Sequence, residues 1–310
     1  MADLDLAIIG GGAAGLTAGL YAARERLQVA LYDRMGPGGQ LNTAGRIENF
    51  PGFPGGVNAY ELGPRIAEQA MEAGCGVQFG EVHALAVEVT GSGPEYRLTT
   101  DTGEVTARAV ILATGSRLAR LGVDGEERLE GRGVSYCATC DGEFFREQDV
   151  VVVGGGDSAI DEALHLADTV RSITLVTREE ALTGARATAE RLRALPNVRV
   201  LPGHLVTALH GEDALDAVTV QPVDAAAAPD RIEARGLFVY VGLLPNTSLV
   251  ADLVTLDAAG HVPVDLDMAT ERAGLFAAGD IRQRSARQLV SAAGDGATAA
   301  LAAVRYLRGV

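Results

Sequence analysis

Two of the chain's three cysteines, Cys137 and Cys140, lie two residues apart in the stretch YCATCDG, and Asp141 follows directly. Thiols at this spacing can close a small disulfide loop, and the thiolate is the form that reacts in disulfide exchange. A carboxylate beside the second thiol can act as a general acid or base, although Asp141 could instead only form a turn before Gly142. We interpret Cys137, Cys140 and Asp141 as a candidate catalytic group built around a redox-active dithiol.

The cysteine pair has two alternative interpretations. A structural zinc site needs four ligands, typically two CxxC units or one CxxC with a pair of histidines. The remaining cysteine, Cys75, has no neighbouring ligand, and the five histidines are scattered singly: His83, His165, His204, His210 and His261. We therefore expect no metal, and we expect Cys75 to be a small buried apolar residue. A chance structural pair is the other alternative, but the pair's flanking Gly and Asp are unlike an apolar strand.

Two glycine-rich turns flank the cysteine pair in sequence. DLAIIG predicts a buried strand, GGAAGLTAGLYAARE a helix, and LQVALYD a second strand that ends at Asp33. Gly10, Gly12 and Gly15 then mark the turn of a βαβ unit, where glycines permit a tight turn, close approach to a pyrophosphate and helix–strand packing. An acid at the end of the second strand can accept hydrogen bonds from ribose hydroxyls. This strand–turn–helix–strand unit is predicted to bind a dinucleotide.

The same pattern recurs after the cysteine pair. DVVVVGGGDSAIDEALHLAD and SITLVT predict strand, glycine turn, helix and strand, with Gly154, Gly156 and Ala159 at the three turn positions. No acid ends the second strand here, since Thr177 is followed by Arg178 and two glutamates. Arg178 and, further on, Arg186 could contact a 2′-phosphate or could be solvated charges, whereas the glutamates would repel that phosphate. The sequence leaves NADPH and NADH open.

The repeats define the fold class and the domains. Both copies end in an apolar strand closed by glycine, AVILATG in the first and GLFVYVG in the second, and a hairpin-like sequence precedes each strand. A last strand, GLFAAGD, and a long helix close the chain. We predict an α/β protein with two Rossmann-like dinucleotide-binding domains (the FAD/NAD(P)-binding fold), the second inserted into the first. The domains are predicted to comprise residues 1–115 with 244–310, and residues 116–243. Residues 224–230, DAAAAPD, are expected to form a hairpin tip.

Composition excludes several classes of protein. The chain has 310 residues, of which 47% are apolar, and a formal net charge of −15. Such an acidic surface repels phosphate backbones, so we expect no nucleic-acid partner. No apolar run approaches the ~20 residues that span a bilayer, and the start of the chain lacks the pattern of a secretory signal. Three cysteines do not form a secreted disulfide framework, so a cytoplasmic location without membrane association is expected.

Seven segments in order resemble one known family. They are GGGAAG, GPGGQLNTAGRIENFPGF, ILATGS, GRGVSYCATCDG, VVVGGGDSAIDEAL, GLFVYVGLLPN and GLFAAGDIR with RQLVSAAGDG. In this order the chain resembles the low-molecular-weight bacterial thioredoxin reductases over nearly its whole length. The resemblance implies a homodimeric FAD enzyme that passes electrons from NAD(P)H through FAD and a disulfide to a thioredoxin-like protein.

The resemblance also implies roles for individual residues. Cys140 would face the flavin, Cys137 would attack the partner's disulfide, and Asp141 would serve as acid. The residues implied to bind FAD are Gly10, Gly12, Ala13, Ala14, Gly15, Asp33, Gln40, Leu41, Asn49, Gly115, Gly279, Asp280, Arg287, Gln288 and Leu289. Those implied to bind the nicotinamide nucleotide are Gly154, Gly156, Asp157, Ser158, Ala159 and Arg178. The inserted domain would rotate about the strands near 115–118 and 243–246.

One segment departs from the family's pattern. The family's 2′-phosphate signature is His-Arg-Arg followed by a further Arg, where this chain has Thr177, Arg178, Glu179 and then Thr183. Losing these charge-assisted contacts should weaken NADPH binding and leaves NADH or a ferredoxin-type donor open. Two further alternatives are a ferredoxin–NADP reductase-like flavoprotein whose CxxC is inert, and a redox sensor without turnover.

Overall fold

This computed structural model describes residues 2–91, 93–224 and 228–310. The chain divides into two compact units, which are described separately. The first comprises the chain up to Arg117 together with Leu244–Val310, and the second comprises Leu118–Leu243. Among the described residues no helix is long and apolar enough to cross a membrane.

The first unit begins with the strand–helix–strand pattern that the sequence predicts. Its elements in chain order are β1 Leu4–Ile9, α1 Ala13–Arg24, β2 Val29–Asp33, β3 Arg46–Ile47, β4 Val57–Asn58, α2 Ala59–Glu72, β5 Gly76–Phe79, β6 Val82–Thr90, β7 Gly93–Thr100, β8 Gly103–Leu112 and β9 Ser116–Leu118, whose last residue opens the second unit.

The second unit repeats the pattern on a smaller sheet, and the chain then returns to the first unit. In chain order the elements are α3 Glu126–Leu129, β10 Val134–Ser135, α4 Ala138–Asp141, β11 Asp149–Val153, α5 Asp157–Ala167, β12 Ser172–Val176, α6 Arg186–Arg193, β13 Val198–Leu201, β14 His204–His210, β15 Ala217–Pro222, β16 Asp230–Glu233, β17 Gly236–Val239, β18 Leu243–Pro245, β19 Leu275–Ala277 and α7 Leu289–Arg308.

The main sheet of the first unit has the strand order β5-β2-β1-β8-β7-β6, with β19 beside β8. β1 is parallel to both β2 and β8, while β6, β7 and the first half of β8 form antiparallel hairpins. Apolar clusters cover both faces, and Leu6 and Ile8 point to one face while Ala7 and Ile9 point to the other. This burial on both faces explains why β1 reads as a continuous apolar run.

The second unit has a five-stranded parallel sheet with the order β10-β17-β11-β12-β13, and a separate antiparallel sheet β14-β15-β16. Val150 and Val152 pack in one apolar cluster, and Val151 and Val153 pack in another, so β11 is also buried on both faces. The predicted α/β class and the two Rossmann-like cores are confirmed. The expected hairpin tip at 224–230 lies in part, at 225–227, outside the described residues.

Candidate active site

The cysteine pair lies at the start of α4 in the second unit. Cys137 and Cys140 form a disulfide, with a Cα–Cα distance of 5.3 Å. Cys137 is the residue that precedes the helix, and its Sγ accepts the backbone N–H of Cys140 at 3.1 Å. An N–H aimed at this sulfur would stabilise a thiolate there, which is the reactive form. Cys140 is exposed and Cys137 half-buried, so both sulfurs are at the surface of their unit.

Asp141 is held beside the disulfide by a serine that the sequence analysis did not identify. Ser135, the last residue of β10, donates from Oγ to Asp141 Oδ2 at 2.7 Å. The same hydroxyl accepts the backbone N–H of Cys137 at 3.1 Å. One side chain at the carboxyl end of a parallel strand therefore fixes both the carboxylate and the chain at the first cysteine. An "S-x-C" spacing was the only sequence indication of this contact.

The glycines of the first turn are required by close backbone approach. Gly10 has φ +107°, and a Cβ there would come within 2.3 Å of the Ala113 carbonyl oxygen. At Gly15 a Cβ would lie 1.9 Å from the carbonyl oxygen of Gly10. A larger residue at Gly10 would collide with the backbone that follows β8, and one at Gly15 would push α1 away from the end of β1, which explains two of the three motif positions.

Gly12 differs from these two glycines, because a Cβ there would meet nothing within 4 Å. It caps α1 with extended backbone, so its surface opens in front of the helix N-terminus. Such an opening suits a pyrophosphate, which binds to free N–H groups at a helix start. Asp33 closes the turn by accepting the N–H of Gly11 at 2.6 Å and that of Met35 at 2.8 Å. The first turn therefore fits a dinucleotide.

Several segments of the first unit converge near this turn. Gln40 Nε2 donates to the Ser116 carbonyl and hydroxyl oxygens at 3.3 and 3.4 Å. Ser116 also bonds to Asp280, which accepts the Ser285 hydroxyl at 3.4 Å and lies near Arg287. Three segments that are far apart in sequence thus meet at one place.

A second contact joins two more predicted residues. Asn49 Nδ2 donates to Gln288 Oε1 at 2.9 Å, where Gln288 precedes the first residue of α7, Leu289. The structure places the remaining predicted residues of this unit as follows: Ala13 and Ala14 begin α1, Leu41 is buried in a 3-10 turn, Gly115 has φ +61°, and Gly279 has φ +79°.

The Gly279–Asp280 turn is anchored by a buried ion pair that the sequence analysis missed. Arg282 donates to both carboxylate oxygens of Asp295, at 2.6 and 2.9 Å, and Asp295 also accepts the Gly279 N–H at 3.2 Å. Asp280 is itself largely buried, and burial raises the pKa of its carboxyl group. A loop carrying Ser285 and Arg287 lies between this turn and α7, which begins at Leu289.

The second glycine turn repeats the geometry of the first. Gly154 has φ +137°, and a Cβ there would lie 2.3 Å from the Tyr240 carbonyl oxygen, whereas a Cβ on Gly156 would meet nothing within 4 Å. Thr177 occupies the position that Asp33 has in the first copy. The Gly154 N–H donates to the carbonyl of Val176, the residue before Thr177, as the Gly10 N–H donates to the carbonyl of Tyr32, the residue before Asp33. The opening for a pyrophosphate is present in both copies.

The remaining residues of the second turn are placed as follows. Asp157 begins α5 and accepts the Ala185 N–H at 2.7 Å, Ser158 is exposed, and Ala159 is buried. Arg178 is largely exposed and forms an ion pair with Glu179 at 3.1 Å. Because this pair occupies the guanidinium with the neighbouring carboxylate, Arg178 is a weaker phosphate ligand than a free arginine would be.

Cys75 is buried in the main apolar cluster of the first unit, as expected. Burial raises the pKa of its thiol to about 11, so it is unreactive at neutral pH. Among the described residues no group of three or more His, Cys, Asp or Glu side chains is arranged to hold a metal ion.

Comparison with known proteins defines the class. A family profile described as pyridine nucleotide-disulphide oxidoreductase matches residues 4–296. The thioredoxin reductase of Treponema pallidum is 37% identical over 98% of this chain and 97% of its own length. The bifunctional thioredoxin reductase/thioredoxin of Mycobacterium leprae is 39% identical over 98% of this chain, which spans 66% of that protein. The structure of Lactococcus lactis thioredoxin reductase matches with a TM-score of 0.94, at 35% identity, covering 99% of this chain and 100% of that one.

The chain therefore belongs to the pyridine nucleotide-disulphide oxidoreductase family. Within that family it falls among the low-molecular-weight thioredoxin reductases, and it is a flavoprotein disulfide reductase. The resemblance seen in the sequence is confirmed. Membership implies FAD and a nicotinamide dinucleotide as cofactors, and the two openings at Gly12 and Gly156 fit two such nucleotides.

Proposed function

We propose that this enzyme passes electrons from NAD(P)H to FAD, then to the Cys137–Cys140 disulfide, and finally to the disulfide of a thioredoxin-like protein. The observation that carries the proposal is the disulfide itself, which lies at the start of α4 beside an oriented carboxylate, Asp141. A disulfide at the surface of its unit, with an N–H aimed at one sulfur, is suited to exchange rather than to bracing the fold.

We assign FAD to the first unit, whose sequence-predicted bounds are 1–115 and 244–310. The turn at Gly10–Gly15 and Asp33 would hold the pyrophosphate and ribose, and Gln40, Leu41 and Asn49 would line the isoalloxazine. Asp280 would accept a ribityl hydroxyl, with Arg287, Gln288 and Leu289 on the same side. When bound, FAD accepts a hydride and delivers two electrons, and the protein's part is to orient and shield it.

The dithiol carries the electrons outward in two exchange steps. We propose that the Cys137 thiolate attacks the partner's disulfide, forming a mixed disulfide and releasing one partner thiolate. Cys140 then attacks Cys137, which releases the second partner thiol and restores the internal disulfide. Asp141, held by Ser135, would exchange protons with the sulfurs as they become anionic.

The test of the outward steps uses purified protein with thioredoxin and an excess of donor. Free thiols counted by alkylation should rise by two per chain when donor is added without thioredoxin, and the Cys137→Ser and Cys140→Ser variants should reduce no thioredoxin when it is present. Both variants should keep their flavin absorbance and their reduction by donor. An unchanged thiol count with intact dye reduction would instead favour the flavoprotein with an inert cysteine pair.

We propose that the electron donor binds at the glycine turn of the second unit, whose sequence-predicted bounds are residues 116–243. We propose that Gly154, Gly156, Asp157, Ser158 and Ala159 hold the pyrophosphate of a nicotinamide nucleotide. NADH is the second candidate beside NADPH, because Arg178 is paired with Glu179 and Thr177 is uncharged. Anaerobic stopped-flow reduction of the flavin by NADPH, NADH and reduced ferredoxin in parallel separates the three donors.

We further propose that the enzyme acts as a homodimer in the cytoplasm. Both properties are supported by the family to which the chain belongs. Sedimentation equilibrium at micromolar concentration measures the first directly, and a mass of one chain would contradict it.

A further inference from the structure

A glutamate beneath the dithiol helix has no part in the function proposed above. Glu162 lies on α5, which packs against α4, and its carboxyl group is within hydrogen-bonding reach of the backbone N–H groups of Thr139 and Ala138, the second of which donates to the Tyr240 hydroxyl. These two residues are the ones between Cys137 and Cys140. Its Oε2 atom is buried and has no hydrogen-bond partner among the residues that the structure describes. A half-satisfied buried carboxylate is costly, so the group calls for an explanation.

The surroundings of Glu162 disfavour its charged form. Burial, first of all, and the neighbouring charge of Asp161 on the same helix raise the pKa of this carboxyl group to about 7. The Tyr240 hydroxyl, which accepts the Ala138 N–H at 3.0 Å, lies near both Glu162 and Asp141. Apolar side chains also pack around this part of α5, among them Ile160, Ala163 and Leu166. Of the interactions that the described residues make with Glu162, none is with a cation.

Glu162 and the sulfur of Cys137 both lie at the start of α4. Glu162 is within hydrogen-bonding reach of the N–H groups of Ala138 and Thr139, and Cys137 Sγ accepts that of Cys140. In the disulfide the sulfur is neutral, so the carboxylate is the only anion of this pair. Once the disulfide is reduced and the sulfur becomes a thiolate, two anions lie at the start of the same helix. Two such groups do not ionise independently, and one of them takes up a proton.

We propose that Glu162 is a positioning residue that takes up a proton when the Cys137–Cys140 disulfide is reduced, and so couples the redox state of the dithiol to pH. The inference rests on the proposed function only in taking this pair as the redox centre. With a dithiol reagent as reductant, two electrons break the Sγ–Sγ bond and two protons leave the reagent. One proton makes the Cys140 thiol, the other goes to Glu162, and Cys137 remains a thiolate.

The sign of the pH dependence follows from the two protonation states. Well below pH 7 Glu162 is protonated whether the pair is oxidised or reduced, so it adds no pH dependence there. Above pH 7 it is ionised in the oxidised enzyme and protonated in the reduced one. Reduction then consumes one more proton than in an enzyme whose residue 162 cannot ionise. Relative to that enzyme it becomes harder as the pH rises, until Glu162 ionises in the reduced enzyme as well.

The test compares the holoenzyme with Glu162→Gln, which keeps the hydrogen-bond acceptor and removes the ionisation. Both are equilibrated with mixtures of reduced and oxidised dithiothreitol between about pH 5.5 and 8.5, and free thiols are trapped by alkylation. We expect equal reduction constants at the acid end and a constant about tenfold larger for the variant at the alkaline end, because one pH unit of coupling is a factor of ten. The exposed Glu190→Gln change on α6 is the charge-matched control and should follow the wild type throughout.

A second measurement needs no variant. Infrared difference spectra of reduced minus oxidised wild-type enzyme at about pH 8 should contain the carbonyl band of a newly protonated carboxylic acid. Parallel reduction constants for wild type and Glu162→Gln, or the absence of that band, would overturn the proposal. The dithiothreitol titration uses neither nicotinamide nor thioredoxin. If the proposed function is wrong, the cysteine pair will not turn over with a nicotinamide nucleotide and thioredoxin, whatever its pH dependence in the dithiothreitol titration.

Discussion

At the scale of single residues, the internal duplication supplies its own comparison. Asp33 and Thr177 stand at the same place in the two copies, and each accepts the N–H of the residue two positions on. The carboxylate can bind two ribose hydroxyls, whereas the buried threonine hydroxyl can offer only one weaker contact. We therefore expect the choice of nicotinamide nucleotide to depend on Thr177 and on the two charged residues after it.

The donor preference should change with those residues. We expect the Thr177→His, Glu179→Arg double variant to prefer NADPH, because it frees Arg178 from its ion pair and adds a second guanidinium for the 2′-phosphate. The ratio of kcat/KM for NADPH over NADH should rise by about tenfold or more. An unchanged ratio would mean that the adenosine ribose lies elsewhere.

The buried Arg282–Asp295 pair makes a prediction about stability. In Asp295→Ala the guanidinium and the Gly279 N–H both lose their acceptor, and we expect the free energy of unfolding to fall by about 3 kcal/mol. The exposed pair between Arg305 and Asp267 is the control, and Asp267→Ala should cost less than about 1 kcal/mol. Urea unfolding of both variants in the same excess of FAD measures the difference. Equal losses would show that the buried pair does not anchor the turn.

At the scale of elements, the two strand–turn–helix units have the same geometry at the glycine that precedes the helix, so the same substitution can be tested in both. Gly12 and Gly156 each precede a helix with extended backbone and open space at the Cβ position. The Cβ of a valine at either place would meet nothing within 4 Å in the chain itself, and we expect its side chain to fill room that a pyrophosphate would take. Gly15 is the contrasting case, because even alanine there would meet the backbone of Gly10.

We expect Gly12→Val to fold and to be colourless, because it cannot hold FAD. Gly156→Val should remain yellow, with a KM for the nicotinamide nucleotide raised by about tenfold or more. Far-ultraviolet circular dichroism, visible absorbance and steady-state kinetics report the three properties. A yellow Gly12→Val protein would contradict the assignment of FAD to the first turn.

At the scale of the whole molecule, the chain passes between its units only twice, at Arg117–Leu118 and Leu243–Leu244. Each crossing has a glycine with positive φ close by, Gly115 at +61° and Gly242 at +133°, and neither would place a Cβ against another atom. Few backbone connections and unhindered glycines are the features of a hinge. The dithiol must reach both the flavin and a bulky partner, so we expect the units to rotate about these crossings.

The expected rotation can be measured in solution. Small-angle X-ray scattering of the anaerobic enzyme should give different distance distributions in the oxidised state and after reduction by dithionite. Hydrogen exchange should change at residues 116–118 and 243–245 between the same states. Identical scattering and exchange in both states would count against a hinge at these strands.

Much of this protein could be predicted from the sequence by itself, because the decisive patterns are local. The strand, the three glycines and the helix are contiguous in sequence. The close backbone approaches at Gly10 and Gly15 restrict this segment to few other conformations. The dithiol and its aspartate are likewise neighbours in the chain. Local pattern was therefore enough to predict the fold class and the duplication, which the structure and its comparisons confirm. It was also enough to find the cysteine pair that the structure joins in a disulfide.

Only the tertiary structure decided which distant residues meet and how deeply they are buried. Asn49 meets Gln288, Ser116 meets Asp280, and Arg282 meets Asp295, although nothing in the spacing of these residues announces a contact. Glu162 looks in the sequence like one more acid on an amphipathic helix. Its elevated pKa arises from burial beneath α4, and burial is a property of packed elements rather than of the local chain.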